Sequence, residues 1–232
     1  MNSSRVYAVT GTDTEVGKTV VTAALAALQL SLGRTVAVVK PAQTGVGPEE
    51  AGDLAEVRRL AGDVSTYEGA RLPDPLAPDT AARLAGTSLP GLDVQRDLVT
   101  RVAGEHDVTF IEGSGGVLVH LGETWHLLDL ADAVRYAGHP VTFVVVARAG
   151  LGTLNHTALT VQAIQARGLE VAGVVVGSWP EPPGLAEEQN LVDLPRITGV
   201  PLLGQVPAGA AGLPTRAFRR GSLDWVAALP PL

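Results

Sequence analysis

The stretch VTGTDTEVGKT at residues 9–19 decides the fold of this chain. It follows a short apolar run at residues 6–9 and precedes an alanine- and leucine-rich run at residues 20–32 that is typical of a helix. A strand, a glycine-containing turn, Gly-Lys-Thr and a helix form a phosphate-binding loop, whose backbone N–H groups create a concave anion site. The stretch therefore predicts a nucleotide site in which Lys18 contacts the outer phosphates and Thr19 ligates Mg²⁺.

One position of this loop departs from the strict G-x-x-x-x-G-K-[ST] pattern, and one side chain is unusual in a phosphate site. The pattern requires a glycine at position 12, which is Thr12 here, while Gly11 lies one residue too early. Glu15 places a carboxylate among phosphate ligands, and such a charge needs a cation or an amine beside it. The alternative is a chance Gly-Lys-Thr at the start of a helix, which the flanking strand and helix disfavour.

The length and composition of the chain fit one α/β domain. Its 232 residues are within the range of a single domain. Hydrophobic residues make up 46% of the chain and aromatic residues 4%, which suits an aliphatic core of buried parallel strands. The absence of cysteine excludes a disulfide framework, a thiol nucleophile and a cysteine-based metal site.

The charge and the apolar runs indicate which large partners to exclude. A net charge of −7 leaves no basic face for nucleic acid. The apolar runs are too short to span a membrane, and no signal peptide is visible behind residues 1–5. We therefore expect a cytoplasmic protein without a nucleic-acid or membrane partner.

Strands and helices alternate along the chain. This order predicts a single α/β domain over residues 1–232, with one doubly wound, mostly parallel sheet of the P-loop NTPase type and helices on both faces. The predicted strands are residues 6–10, 35–39, 107–111, 141–147, 171–176 and 202–206. The main predicted helices are residues 18–32, 53–60, 80–85, 92–103, 128–137, 187–197 and 223–228, with a further helix that ends near residue 167.

Polar groups that follow the predicted strands should meet at the carboxyl edge of the sheet, where open α/β sheets bind ligands. Lys40 follows the second strand and Glu112 ends the third, before a glycine-rich stretch that suits Mg²⁺ or phosphate. The backbone of residues 150–153 opens a helix and suits a carboxylate. A solvated lysine, a water-facing glutamate and a plain strand-to-helix turn are the alternatives.

Three further predictions concern residues around this edge. Asp53 is predicted to be a helix N-cap, with a metal ligand as the alternative. The proline-rich segment 69–90 is expected to lie over the site. Three histidines lack metal-ligand spacing and are predicted to be surface or packing residues: His120, His126 and His139.

The predicted crevice combines a triphosphate cradle with acids, two lysines and a second anion site. A switch driven by hydrolysis needs only the cradle. A second polar pocket beside the γ-phosphate instead indicates that ATP activates a bound small acid or amine. Lys18 and Lys40 together could stabilise negative charge on the transferring phosphoryl group.

From residue 6 to about residue 207, the chain resembles the dethiobiotin synthetases. The resemblance is carried by GTDTEVGKT at 11–19, KPAQTG at 40–45, Asp53, EGSGG at 112–116 and GTLNH at 152–156. It implies a homodimeric ligase of biotin biosynthesis that uses 7,8-diaminononanoate, CO2 and Mg-ATP. The implied products are dethiobiotin, ADP and phosphate, formed through a carbamate and a carbamic–phosphoric anhydride.

The resemblance also implies roles for individual residues. Lys40 and Lys18 match catalytic lysines, and Thr19, Asp53 and Glu112 match the Mg²⁺ ligands. The implied substrate-binding residues are Thr14, Lys40, Thr44, Leu151, Gly152 and Thr153. The implied nucleotide-binding residues are Glu15, Val16, Gly17, Lys18, Thr19, Val20, Asp53, Glu112, Gly113, Ser114, Gly115, Gly177, Ser178, Pro207, Ala208 and Gly209.

One position departs from the family in a way that concerns the nucleobase. Family members often carry Asn-Asp where this chain has Gly177 and Ser178, and that asparagine reads adenine. Glycine has no side chain for those hydrogen bonds. We therefore expect relaxed or altered base selectivity, with another nucleoside triphosphate serving beside ATP.

Two other classes share this type of loop. A partitioning-type ATPase switch would place a second lysine in the loop and carry a basic or amphipathic element for DNA or membrane, and both Thr12 and the net charge oppose it. A cobyrinate-synthase-like amide ligase domain usually belongs to a longer chain with a glutaminase nucleophile, and this chain has no cysteine. A requirement for a diamine and bicarbonate would separate these classes.

Overall fold

The computed structural model describes residues 4–229, in which a seven-stranded parallel sheet has the order β4-β2-β6-β1-β7-β8-β9. A separate two-stranded sheet pairs β3 with β5. The strands are β1 (Arg5–Gly11), β2 (Val36–Lys40), β3 (Gln43–Thr44), β4 (Ser65–Glu68), β5 (Arg71–Leu72), β6 (Val108–Gly116), β7 (Val141–Ala147), β8 (Glu170–Trp179) and β9 (Leu202–Pro207). The helices are α1 (Lys18–Ser31), α2 (Asp53–Ala61), α3 (Pro78–Ala85), α4 (Leu92–Glu105), α5 (Leu127–Tyr136), α6 (Thr153–Gln165), α7 (Leu185–Thr198) and α8 (Thr215–Trp225).

Helices cover both faces of the large sheet because its strands are apolar on both sides. In β1, Tyr7 and Val9 belong to one apolar cluster and Val6 and Ala8 to the other, as the two-residue period of a strand requires. The first cluster includes residues of α1, α2 and α8, and the second includes residues of α4, α5, α6 and α7. The predicted fold class is confirmed.

The order of strands reverses beside β1, which places the phosphate loop at a switch point. The chain leaves β1 towards β2 on one side, returns through β6, and continues to β7 on the other side. Gly11 at the end of β1 pairs with Gly116 of β6 and with Val146 of β7. Ligands bind at such points in open parallel sheets, so the fold brings the three strand ends to one crevice.

Several predicted element boundaries are wrong, because tertiary pairing overrides local signals. The predicted strand 107–111 continues to Gly116, since this glycine pairs with Gly11 of β1. The predicted strand 171–176 continues to Trp179, which pairs with Pro207 of β9. The C-terminal helix is α8 rather than residues 223–228, and the fully buried Phe218 anchors it. The strands β3, β4 and β5 were not predicted.

The segment 69–90 lies against the loop that follows β2. Its strand β5 pairs with β3, and Gly45 N donates to Asp74 O over 3.1 Å. The Gln95 amide of α4 donates to Pro41 O and so holds the start of the same loop. Within residues 4–229, no helix has the length and hydrophobicity needed to cross a membrane.

Candidate active site

Two glycines shape the phosphate loop. Gly17 is the N-cap of α1 and has a left-handed backbone with φ 93°, which favours glycine. A Cβ atom at Gly11 would lie 2.6 Å from Asp13 O and 2.9 Å from the Lys18 ammonium nitrogen. The early glycine therefore provides the close backbone approach of this loop, which accounts for the departure from the strict pattern.

Glu15 lies at the top of the loop in an unusual backbone conformation. Its φ is 56°, whereas the other residues with positive φ in the described chain are glycines. Its side chain is exposed. A left-handed conformation costs an ordinary residue free energy and is tolerated where a loop must hold a particular shape. The backbone at Glu15 thus fits a phosphate cradle.

Lys40 lies at the centre of a buried ionic cluster. Its ammonium nitrogen lies 2.6 Å from Asp53 Oδ2, 2.9 Å from Glu112 Oε1 and 3.2 Å from Gly113 O. Lys40 is 3% exposed and Glu112 is fully buried, whereas Asp53 opens towards solvent. The end of β2, the start of α2 and the strand β6 thus supply one lysine and two carboxylates to a single point.

The two lysines have opposite pKa shifts. Burial lowers the pKa of Lys40, but attraction by Glu112 and Asp53 outweighs burial and raises it. Burial and repulsion by Lys40 lower the pKa of Lys18 to about 8, although Glu112, Asp53 and Asp13 partly offset the shift. Lys40 therefore stays an ammonium ion at neutral pH, and Lys18 is the more readily deprotonated of the two.

A labelling experiment can separate these lysines, because Lys18 and Lys40 are the only two in the sequence. An amine reagent attacks the neutral form, so we expect it to modify Lys18 faster than Lys40 in the nucleotide-free and metal-free protein, with half-maximal reactivity near pH 8. Peptide mass spectrometry gives the two rates, and ATP should protect Lys18. Faster labelling of Lys40 would contradict the assigned shifts.

The residues matched to Mg²⁺ ligands fit that ion chemically. Thr19 Oγ1 donates to Glu112 Oε1 over 2.9 Å, and Asp53 Oδ2 lies 2.6 Å from the same Lys40 ammonium that contacts Glu112. The second oxygen, Glu112 Oε2, is buried and has no hydrogen-bond partner in the described structure. Mg²⁺ prefers one or two carboxylates plus phosphate and water oxygens. Residues 4–229 contain no cluster of three or more histidine, cysteine or acidic side chains that could hold a metal ion.

The prediction that Asp53 is an N-cap is wrong. Gly52 is the N-cap of α2, and the side chain of Gln43 accepts a hydrogen bond from Asp53 N over 2.8 Å. Gln43 is buried, and a Cβ at Gly52 would lie 2.7 Å from its Oε1. Because Gln43 takes the capping role, the Asp53 carboxylate contacts Lys40 instead.

Strand β8 packs its backbone directly against the phosphate loop. A Cβ at Gly17 would lie 2.5 Å from Gly177 O, and a Cβ at Gly177 would overlap Val16 O. An asparagine at position 177 therefore has no room while the loop keeps this shape. The neighbouring Ser178 is exposed beside the same loop.

Gly177→Ala is expected to lower the free energy of unfolding by about 1–3 kcal/mol, because the added methyl group overpacks the contact with Val16. Nucleotide affinity should fall with it, since the loop must shift. Thermal unfolding and calorimetric binding measure both effects. The matched control is Gly104→Ala on an exposed part of α4, where a Cβ meets no atom within 4 Å. Wild-type stability and affinity in Gly177→Ala would contradict the overlap.

The predicted substrate residues lie in two groups. In the first group, Thr14 lies in the phosphate loop near Gly115, and Thr44 is half-buried in β3. The other group starts α6, where Gly152 is the N-cap with φ 89° and Leu151 is 85% exposed. Thr153 is fully buried and its backbone N–H donates to Gly150 O over 3.3 Å, so the exposed residues of this group are Leu151 and Gly152.

The remaining nucleotide positions are spread along the same edge. The Ser114 hydroxyl donates to Ala42 O over 2.7 Å, so it ties β6 to the loop after Lys40. The segment after β9 lies beside Trp179, because Ala208 N donates to Trp179 O over 2.7 Å. The exposed residues of that segment are Pro207, Ala208 and Gly209. Val20 follows Thr19 in the first turn of α1.

Sequence reasoning gave no role to two residues that hold the loop after β7. Asn190 of α7 is buried, and its amide donates to Ala149 O over 2.7 Å and to Gly150 O over 3.3 Å. Arg148 forms an ion pair with Asp13 of the phosphate loop. Each of these residues contacts a segment that is distant from it in sequence. Only Arg148 could have been noticed in the sequence, because it is a cation that follows a predicted strand.

A parallel sheet with a Gly-Lys-Thr loop at its switch point and acids beside it defines a P-loop nucleotide-binding protein. A family model described as an AAA domain matches residues 5–211. The ATP-dependent dethiobiotin synthetase BioD of Streptomyces coelicolor is 53% identical over 98% of this chain and 93% of its own length. That of Rhodococcus jostii is 52% identical over 95% and 94%. The chain belongs to the dethiobiotin synthetase family.

Solved structures resemble the chain in fold alone. A ParA family ATPase from Chlorobium tepidum has a TM-score of 0.60 at 13% sequence identity, with 97% of this chain and 92% of that chain covered. The septum site-determining protein MinD from Pyrococcus horikoshii has a TM-score of 0.55 at 18% identity, with 97% and 87% covered. At such identities the similarity supports the P-loop sheet and carries no functional assignment.

Proposed function

We propose that this protein is an ATP-dependent dethiobiotin synthetase. It carboxylates 7,8-diaminononanoate with CO2 or bicarbonate and closes a ureido ring, as a single P-loop domain in the cytoplasm. The observation that carries this function is the contact of Lys40 with Asp53 and Glu112, next to the phosphate loop, in a member of this family. A nucleotide switch has no need of a second buried lysine at this point.

The proposed reaction has three steps. One substrate amine adds to the carbon of CO2 and loses a proton, which gives a carbamate. A carbamate oxygen attacks the γ-phosphorus of ATP, the bond to ADP breaks, and a carbamic–phosphoric anhydride forms. The neighbouring amine then attacks the anhydride carbon, loses a proton and expels phosphate. The last step is intramolecular and gains from proximity.

Lys40 and Lys18 stabilise negative charge at different places in this reaction. Lys40 is held as an ammonium ion by Glu112 and Asp53, so it can bind the carbamate and the transferring phosphoryl group. The Lys18 ammonium donates to Asp13 O over 2.9 Å within the loop, at the position from which it reaches the outer phosphates. Fixed charges of this kind stabilise a phosphoryl-transfer transition state without reorganising.

Thr19, Asp53 and Glu112 would hold Mg²⁺ in this scheme. When bound, the ion neutralises charge on the phosphate oxygens. The buried and unpartnered Glu112 Oε2 is the feature of this chain that supports the assignment. Asp53 is partly exposed and accessible from the crevice.

The start of α6 would bind the substrate carboxylate through its backbone N–H groups. In the proposed homodimer this contact crosses the interface. Exposed apolar side chains on the packed helices α6 and α7, and on the loop before α6, support self-association. They are Leu151, Leu159, Leu185 and Val192.

Phosphate release from Mg-ATP tests the function. Release should require both 7,8-diaminononanoate and bicarbonate, since transfer needs a carbamate as acceptor. Omission of either co-substrate should reduce release to background. Release that proceeds equally with ATP alone would overturn the synthetase assignment and favour a switch.

Base selectivity follows from the packing at Gly177. This position has no side chain and its space is filled by Val16 O, so it offers adenine no amide group. We expect CTP or GTP to support dethiobiotin formation at rates comparable with ATP. Steady-state rates with each triphosphate measure this. A single efficient substrate, ATP, would contradict the prediction.

A further inference from the structure

The phosphate loop of this chain is acidic, although its ligand is a polyanion. Asp13 and Glu15 both precede Lys18, and no cation lies between Gly11 and Lys18. A carboxylate within a phosphate loop opposes nucleotide binding unless another group cancels its charge. For Asp13 the structure supplies such a group from the residue that follows β7.

The register of the sheet places Arg148 opposite Asp13. Gly11 pairs with Val146 in the parallel ladder of β1 and β7, and Thr12 N donates to Val146 O over 2.9 Å. Two residues beyond these positions, past the ends of both strands, Arg148 Nη2 lies 2.7 Å from Asp13 Oδ2. The pair therefore joins the phosphate loop to the residue that follows β7, and the register of the two central strands brings these segments together.

Asp13 also contacts the rest of the loop through its other two oxygens. Its Oδ1 accepts a hydrogen bond from Thr14 N over 2.7 Å, and its carbonyl accepts one from the Lys18 ammonium over 2.9 Å. A change in the orientation of Asp13 would thus move both a loop N–H group and the phosphate-binding lysine. Within residues 4–229, the ion pair and the side-chain hydrogen bond that join Arg148 to the loop both involve Asp13.

Stability alone is a poor account of this pair. The side chains of Arg148 and Asp13 are 43% and 50% exposed, and ion pairs in such positions contribute little to folding. Arg96 and Asp97 form a pair with the same 2.7 Å separation on the surface of α4, away from the loop. The location beside the phosphate cradle distinguishes the first pair from the second.

We infer that Arg148 is a positioning residue for nucleotide binding. Its guanidinium neutralises the charge of Asp13 and holds that carboxylate in place. Lys18 and the loop N–H groups then bind the phosphates without repulsion between Asp13 and the nucleotide. The inference deepens the proposed function, since it rests on a nucleotide in this loop. It makes no use of the diamine, so its test can fail separately.

The test is a double-mutant cycle on binding of a non-hydrolysable ATP analogue, measured by calorimetry without diamine or bicarbonate. Arg148→Ala should weaken binding about tenfold, because it leaves Asp13 uncompensated. Asp13→Asn combined with Arg148→Ala should restore affinity to within about twofold of wild type. Arg148→Lys should retain most of the affinity, and the loss in Arg148→Ala should shrink at high salt.

Two control variants distinguish the loss of the Arg148 charge from a loss of folded structure. Arg96→Ala removes the matched surface pair and should bind the analogue as wild type does. Arg148→Gln repeats the loss of charge if the alanine variant unfolds. The inference is overturned if Arg148→Ala and Arg148→Gln bind normally, or if the double variant binds no better than Arg148→Ala. Phosphate release without the diamine would overturn the synthetase function and leave this result intact.

Discussion

Lys40→Ala is expected to lower the rate of dethiobiotin formation about 100- to 1000-fold, the range seen when one preorganised charge-stabilising donor is removed. Lys40 is the ammonium ion that Glu112 and Asp53 keep buried and charged. Without it, the carbamate and the transferring phosphoryl group lose a fixed positive partner, while two carboxylates remain. The loss should therefore fall mainly on kcat.

Folding and chemistry must be separated in this variant, because it leaves Glu112 buried without its cation. Removal of one partner from a buried pair costs about 3–5 kcal/mol in stability. Thermal unfolding identifies a folded temperature range, and binding of the ATP analogue there shows whether the loop is intact. Arg96→Ala serves as the active control. Wild-type turnover in a folded Lys40→Ala enzyme would remove Lys40 from the mechanism.

Glu112→Gln is expected to raise the Mg²⁺ concentration needed for half-maximal activity by at least about 100-fold. Mutation of residues that only hydrogen-bond to metal ligands already lowers metal affinity or activity 10–100-fold. Its Oε1 accepts hydrogen bonds from Lys40 and Thr19, and its Oε2 is the buried oxygen without a partner. The amide removes the negative charge and directs N–H donors towards an ammonium ion.

A Mg²⁺ titration of co-substrate-dependent phosphate release measures this effect. The matched control is Glu105→Gln at the end of α4, an exposed glutamate that lies 3.9 Å from Arg101. It should follow the wild-type titration. If the Glu112→Gln variant also gave the wild-type titration curve, Glu112 would not be a ligand of Mg²⁺.

The parts of the site that are contiguous in sequence could be predicted, because interactions between neighbouring residues determine their structure. Residues 9–19 specify a strand, a turn and a helix start in one run, and this order alone places Lys18 and Thr19 at an anion site. Lys40 ends β2, and Glu112 of β6 directly follows Ile111, the partner of Val39, so parallel pairing brings the two side chains to the same edge. Their direct contact needed the strand order, which local patterns do not contain.

Residues that act across long sequence separations could not be predicted. Gln43 caps a helix that begins ten residues later, so Asp53 looked like the cap. Asn190 supports a turn that lies 40 or more residues earlier in the chain. The glycines of β6 and β8 read as turns, yet they continue strands because neighbouring backbone packs against them. In each case a partner distant in sequence decides the local structure.

Incorporation of labelled carbon tests the central claim most directly. The purified protein would be incubated with ¹³C-bicarbonate, 7,8-diaminononanoate and Mg-ATP, and the products analysed by mass spectrometry. The account predicts dethiobiotin that carries the label in its ureido carbonyl, formed in equal amount to ADP. Formation of ADP and phosphate without labelled dethiobiotin would contradict it.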